Sequence, residues 1–449
     1  MRFLPLVLVA ALLPSASPAA TPSHVRQLQF PLPLLVRGDV AEVGYDTRDL
    51  PSAMGSLYVR NDLQHGFTRV LLTRRKALRQ LEPNDSLKVL RGTVPPRLIR
   101  GRELVYFAVV RDQRSGRTFR LPQQSAWVLD KPAVVHLGVH RFGRLRAPEA
   151  VVARAGPGEI GIEDPRAGGS LYGPGSFQIG PDRSVWLLDE FKNRLLVWRA
   201  GRPDTIDRTV PLPFFCEEFA LGPGGTVYVL RPRNLQPLWL YRLDAAGGTR
   251  WQSTLDTNGF PTQLRTGPGG TLYFTASYES SGRPVRGRRW TPVATPAGRP
   301  ESVREQRRKS LWGYQPLVGG LRLVTAFLPF HEERFALIDR GRRVVRAWRV
   351  TSRTKIGPTL DATPDLVQGD PVVVVEVVAG SGRDFKWEYE VLRLTPKGTG
   401  VRFALSHRPP LGAWGDVVTD LRVGPDGKLY QLGTSQTAGV RISRFSLRR

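Results

Sequence analysis

"LGPGGTVYVL", residues 221–230, sets three glycines and a proline around a tight bend and then enters an apolar run. Such a stretch is either a loop that cradles a phosphate or a turn between two strands. A phosphate loop works by delivering its anion to the N-terminus of the helix that follows. Here the following residues are β-branched, aromatic and apolar, as in a strand, and no Lys-Ser/Thr pair completes a nucleotide loop. The bend is therefore a hairpin turn, and it recurs. "GPDRSVW" starts at Gly180, "GPGGTVY" at Gly222, "GPGGTLY" at Gly267 and "GPDGKLY" at Gly424. The first two intervals are 42 and 45 residues, and the last, 157, has room for three. "VGGLRLV" with Gly319 and "QGDPVVVVEV" with Gly369 fill that gap as degenerate copies. Six units of strand, Gly-rich turn and strand predict a six-bladed β-propeller over residues 147–449.

A ring of sheets leaves an open edge unless its last sheet is completed. The last unit supplies three strands, "VVTDLRV", "KLYQLG" and "GVRISRFSL". "PEAVVARAG", ahead of the first turn, is expected to be the fourth, an N-terminal outer strand that pairs the two ends of the ring. Residues 24–131 lack the turn and show six or seven short alternating strands, among them the hairpin "ELVYFAVVRDQRSGRTFRLP". They predict an immunoglobulin- or fibronectin-like β-sandwich, with residues 132–146 as a connector. The fold class is all-β. The opening "MRFLPLVLVAALLPSASPAA" combines Arg2, an apolar run and small residues, which predicts a signal peptide over residues 1–20 and a secreted or periplasmic protein. No later stretch is an apolar run of membrane-spanning length. Cys216 is the only cysteine, so no internal disulfide holds the chain.

At the first turn the pattern becomes specific. "WLLDEFKNRLLVWRAG", residues 186–201, resembles an NHL repeat, a family that places an Asp after the second strand and an Arg five residues later. Asp189 and Arg194 match; the Asn expected three residues after the Asp is Lys192 here, with Asn193 one place late. The pair reads as structural, a carboxylate bonded to its own hairpin. Two families of related propellers are not matched. The Glu, Asn, Asn, Asp calcium set of lactonase-like propellers is not recognisable, and no histidine falls where NHL-like lyases carry their metal-binding channel histidines.

Counting four residues back from each turn glycine gives Ser176, Glu218, Gln263, Gln315, Asp365 and Asp420, all polar. Their followers, Phe177, Phe219, Leu264, Pro316, Leu366 and Leu421, are apolar. Alternation would send the apolar set between blades and the polar set toward a central channel, forming a ring with three carboxylates. No cofactor is expected. Such a ring could hold a divalent cation, or an acid/base pair acting on a bound substrate, as the centre of a hydrolase or lyase. Elsewhere the chemistry-bearing patterns dissolve. "GPGEIG", residues 156–161, has the form G-x-G-x-x-G but no helix can follow it; "HEERF" at His331 lacks the second histidine of a zinc helix; His136 and His140 fall in the connector. Cys216 reads as buried packing.

The formal charge is +27, and 66 basic residues include only nine lysines. That skew suggests high-GC codon usage, and an exported protein rarely meets nucleic acid. Residues 283–309 hold nine basic and two acidic side chains, and residues 340–355 hold seven basic and none acidic. The first reads as an insertion too rich in Pro and Arg for a strand, the second as the outer part of the fourth unit. Arg286, Arg288, Arg289, Arg307, Arg308, Arg342, Arg343 and Arg346 are the candidate contacts for an anionic glycan or envelope polymer. The expected role is non-catalytic binding of such a polymer or of a protein partner.

Overall fold

In the computed structural model every residue is described except 1–25, 28–32, 48–49, 77–87, 163–172, 217, 232–237, 256–259, 278–288, 313, 329, 358–365, 382–383, 407–419 and 449. The Gly-rich bends close hairpins with one repeated hydrogen bond. Gly180 N–H donates to Ser184 O at 2.8 Å, Gly222 to Thr226 O at 2.7 Å, Gly267 to Thr271 O at 2.8 Å, Leu317 to Leu321 O at 2.8 Å and Gly424 to Lys428 O at 2.9 Å. Inside the second turn Gly224 and Gly225 have φ of 68° and 75°, a region where a Cβ is strained and glycine is not. The fifth bend is built differently. Gln368 and Gly369 form a two-residue turn that closes Val367 against Asp370.

The hairpins extend into antiparallel sheets. The first comprises Ser176–Ile179, Val185–Asp189, Arg194–Trp198 and Arg208–Pro211; the second Glu218–Leu221, Val227–Leu230, Trp239–Leu243 and Thr249–Thr254. The third runs from Phe260–Thr266 through Leu272–Ser277 and Arg289–Ala294 to Leu311–Trp312. A composite sheet follows, from Tyr314–Pro316 to Gly398–Ser406, whose two halves meet at one pair, Ile356 with Val377. The closing sheet takes Leu421–Val423, Leu429–Ser435 and Gly439–Phe445 and adds Ala150–Ala155 to the last of them.

The apolar followers of the turn frame stitch sheet to sheet. Phe177 packs with Tyr430, Leu432 and Ile442 of the closing sheet; Phe219 with Leu188 and Leu195 of the first; Leu264 with Tyr228 and Leu240 of the second. Leu421 packs with Val391 and Phe403 of the composite sheet. Each fully buried side chain of this kind contributes on the order of 1.5–3 kcal/mol. Shared cores thus join the first sheet to the second, the second to the third, the composite to the closing sheet and the closing sheet back to the first, a propeller-like, all-β arrangement. Among the described residues a single α-helix interrupts it, Val303–Lys309.

One segment differs from its expected form, and a second is built into a sheet. The Pro- and Arg-rich insertion contains regular elements: Arg289–Ala294 is an interior strand of the third sheet, with Val293 fully buried. Pro292 is tolerated there because the register slips between Leu272 and Tyr273, so the missing N–H falls at a bulge. Ser302 caps the helix that follows, its side chain accepting from Glu305 N–H. The connector is likewise a strand: Ala133–Gly138 runs parallel to Val344–Ile356.

Ahead of the connector, strands between Arg26 and Leu129 form one nine-stranded sheet, eight of them on a continuous path and Thr118–Arg120 branching from Glu103–Asp112, around a single core containing Tyr45, Leu57, Leu90, Leu104 and Val110. The strand Thr68–Lys76 serves both halves of the path, pairing first with Ala53–Asn61 and then with Lys88–Val94. Its far edge packs on the composite sheet through Leu34, Trp127 and Leu129 against Val324 and Ala336.

The turns supply a graded test. Gly225 has open space where a Cβ would stand, so Gly225→Ala is expected to cost only the backbone strain, about 1–2 kcal/mol. At Gly222 a Cβ would lie 2.6 Å from the buried Tyr228 ring, so Gly222→Ala should lower the urea midpoint further than Gly225→Ala.

Candidate functional site

Hairpin pairing, not glycine counting, defines equivalent positions on the inner strands. Glu218 pairs with Leu230, and the same step before the turn is occupied by Ser176, Gln263 and, just ahead of its strand, Asp420. In the fourth unit the turn donor is Leu317, so Gln315 stands one strand-step nearer the turn than Glu218 does, where Ala220 is, and the true counterpart is residue 313. In the fifth the two-residue turn shifts the frame to residue 364. Asp365, residue 364 and residue 313 lie outside the described residues.

The described members are all buried, Glu218 completely. Ser176 Oγ donates to Glu218 Oε1, which also accepts from Phe219 N–H at 2.9 Å. Two residues on, Gln178 Nε2 donates to Phe219 O at 2.9 Å, and Arg422 reaches Phe177 O at 3.5 Å from the closing sheet. Ser176 and Glu218 therefore meet sideways, across adjacent inner strands. The reason is geometric: in stacked sheets both faces of a strand meet neighbouring sheets, and an axial channel would meet only its edge. Arg265 and Arg422 share the face of Gln263 and Asp420 by alternation, so the inner face mixes cations with carboxylates. Sequence counting missed these two arginines because it read one position per strand.

A second polar cluster lies where the connector docks. His140 is buried, with Nδ1 2.8 Å from Glu390 Oε2 and Nε2 2.7 Å from Glu388 Oε2. Carboxylates only accept, so both ring nitrogens donate and the ring is an imidazolium. Arg402 Nε pairs with Glu390, Gly143 N–H donates to Glu388 Oε1 at 2.7 Å, and His140 N–H donates to Thr354 Oγ1 at 2.8 Å. The hydrogen bond that His140 donates to Glu390 holds the His140 pKa above its ordinary value, against the opposing effect of burial. Burial raises that of Glu390, but His140 and Arg402 outweigh it and hold the carboxyl below its usual range. The sequence carried both histidines, but not the strand pairing that brings β-strand glutamates from some 250 residues away onto one of them.

The remaining candidates divide. Asp189 and Arg194 face each other across their hairpin at 2.8 Å, and Asp189 Oδ1 also accepts from Gly161 N–H at 2.8 Å. A Cβ at Gly161 would sit 2.7 Å from Phe191 Cβ, so the glycine of "GPGEIG" serves a close approach to this pair. Cys216 is fully buried between the first and second sheets. Of the basic set, Arg342 is 3.2 Å from Glu103 and 5.6 Å from the Trp127 ring centre. Arg346 pairs with Asp370 at 3.2 Å, and Arg308 with Glu305 at 2.7 Å. Arg343 is exposed at a hairpin tip and Arg307 on the helix; Arg289 begins a strand; Arg286 and Arg288 lie outside the described residues.

No protein-family model matches this chain, and no curated protein does. Three solved structures overlap it partly. A streptogramin B lyase is 12% identical, covering 76% of this chain and 90% of its own at a TM-score of 0.30. Virginiamycin B lyase from Staphylococcus aureus is 12% identical, covering 77% and 92% at 0.31. The Pan2 WD40 domain of Neurospora crassa is 10% identical, covering 78% and 87% at 0.31. Overlaps of that quality assign this chain neither a family nor an activity. What the sheets themselves define is an all-β, propeller-like protein.

Two outcomes follow from the polar clusters. Glu218→Ala strands the Ser176 hydroxyl in a dry interface and is expected to cost about 1–3 kcal/mol by urea denaturation. His140 contributes fully below its ordinary pKa and loses that contribution as pH rises through the raised one; Glu390 contributes above the ordinary carboxylate value and loses it as pH falls through the lowered one. Stability against pH should show a plateau with a fall on either side, and His140→Gln should cost about 3–5 kcal/mol at neutral pH and abolish the alkaline fall. An alkaline fall of unchanged size in that variant would assign it to another group.

Proposed function

We propose that this chain is an exported, non-catalytic binding protein. In this reading a sandwich-like unit precedes a six-bladed, NHL-like propeller, the two halves of the composite sheet being the fourth and fifth blades. The single strand-pairing partner between those halves, Ile356 with Val377, supports counting them separately. The ligand class is an anionic glycan or envelope polymer, met on the outer surface.

One observation carries the reading. Glu218, the fully buried carboxylate of the inner ring, accepts from Ser176 and from Phe219 N–H within the protein, binding adjacent inner strands together. The formal excess of +27 has to lie mostly outside the buried cores; Arg340 and Arg343 stand exposed at one hairpin tip, and Arg353 is exposed toward the far end of its second strand. Exposed arginines in a cluster attract polyanions and offer forked donors to carboxylate, sulfate or phosphate groups.

On immobilised heparin the protein is expected to be retained and to elute with salt, because exposed charge attraction is screened over about 10 Å at 0.1 M ionic strength. Arg340→Ala, Arg343→Ala and Arg353→Ala together should move elution to lower salt without changing the melting temperature. Unaltered elution refutes this surface. A melting temperature raised by calcium, zinc or manganese, and no longer raised in Glu218→Ala, would instead make the inner face a metal centre of a hydrolase or lyase.

A further inference from the structure

The strands Ala53–Asn61, Thr68–Lys76 and Glu103–Asp112 send alternate residues to opposite faces of the N-terminal sheet. Leu57, Leu72 and Leu104 enter the core. The other face carries aromatic rings and arginines. Tyr58 and Phe107, paired across strands, lie nearly parallel at 9° with ring centres 5.0 Å apart, and Phe67 meets Phe107 edge-on at 5.1 Å. Arg60 stands 5.0 Å over the Phe67 ring and Arg120 4.7 Å over Phe107, while Arg69 Nε donates to Ser56 Oγ at 2.8 Å. Leu71 and Met54 lie on the same face, 65% and 57% exposed.

A solvated sheet face needs none of this. Rings, Met and Arg in place of Lys and Glu are the composition of a protein–protein contact. A guanidinium stacked on a ring has already lost much of its rotamer freedom and keeps its N–H edge available, so little ordering remains to be done when a carboxylate arrives. The carboxylate that Glu103–Asp112 places on this side, Glu103, is already committed to Arg342, which leaves the face basic. A second copy would set arginine against arginine. The exposed Leu71 and Met54 call for apolar side chains opposite, which a sugar polymer or a nucleic-acid backbone lacks. The face also continues into a contact the protein already makes: Trp127, paired with Glu103 and on the same side, is covered by the composite sheet.

We propose that the uncovered part of this face docks an acidic protein segment, its carboxylates on Arg60, Arg69 and Arg120 and its apolar side chains on Phe107 and Leu71. This stands independently of the polymer-binding reading, since it involves other residues. The test titrates the full-length protein, by fluorescence anisotropy, with labelled poly-glutamate and with a random glutamate–phenylalanine copolymer of equal net charge. The copolymer is expected to bind about tenfold tighter, a preference of about 1.4 kcal/mol. Leu71→Ser with Met54→Ser, both exposed, should erase that preference at an unchanged melting temperature, and Arg69→Ala with Arg120→Ala should weaken both polymers. Equal affinity for the two polymers, or a preference that survives Leu71→Ser with Met54→Ser, overturns the proposal. Heparin or poly-dT binding more tightly than the copolymer, and weakened by the two arginine substitutions, overturns it in favour of a polyanion surface.

Discussion

The pairing of Ala150–Ala155 with Gly439–Phe445 is the constraint on which the stacked arrangement depends. Sheets that stack in sequence expose two apolar faces, one at each end of the series, and here those faces are buried against each other. Phe177 and Leu187 of the first sheet share a core with Tyr430, Leu432 and Ile442 of the last. Loop-closure entropy rises only logarithmically with length, so joining ends this far apart costs on the order of 5 kcal/mol. A handful of fully buried side chains offsets it.

Once the sheets are stacked, the inner strands have little freedom in what their side chains meet. Every face looks at a neighbour, so a polar residue there has to be satisfied by the next strand. Ser176 on Glu218 and Gln178 on Phe219 O are two such solutions, and Arg422 on Phe177 O links the last sheet to the first. The same rule governs the connector. His140 is buried as a cation because Glu388 and Glu390 project from one strand of the composite sheet, and a charge buried there is tolerable only when paired and hydrogen-bonded. Polar groups in this protein hold elements in place, while its distinctive surface chemistry, rings capped by arginines, lies on the N-terminal sheet.

Legibility varied with how local the physics is. The turns at Gly180, Gly222, Gly267 and Gly424 could be read because a positive φ and a fixed hairpin bond demand particular residues at particular places. Counting from Gly319 and Gly369 slipped because Leu317 replaces glycine as the donor in one turn and Gln368–Gly369 shortens the other. The segment "RRWTPVA" hid a strand behind a proline that a bulge accommodates. The β character of Ala133–Gly138 could be read, but its partner could not, because parallel pairing with Val344–Ile356 leaves no turn to mark it.

By itself the sequence determined the all-β class, the repeated hairpins and the strand that closes the series, since alternation and turn chemistry act over a few residues. Tertiary structure alone decided which polar residues meet. It turned Glu218 toward Ser176, carried Arg342 onto Glu103 and set His140 between two glutamates, because those contacts depend on how sheets distant in sequence pack face to face. The aromatic and arginine face followed the same division: each ring was visible in its strand, but only cross-strand register brought Tyr58, Phe67 and Phe107 together.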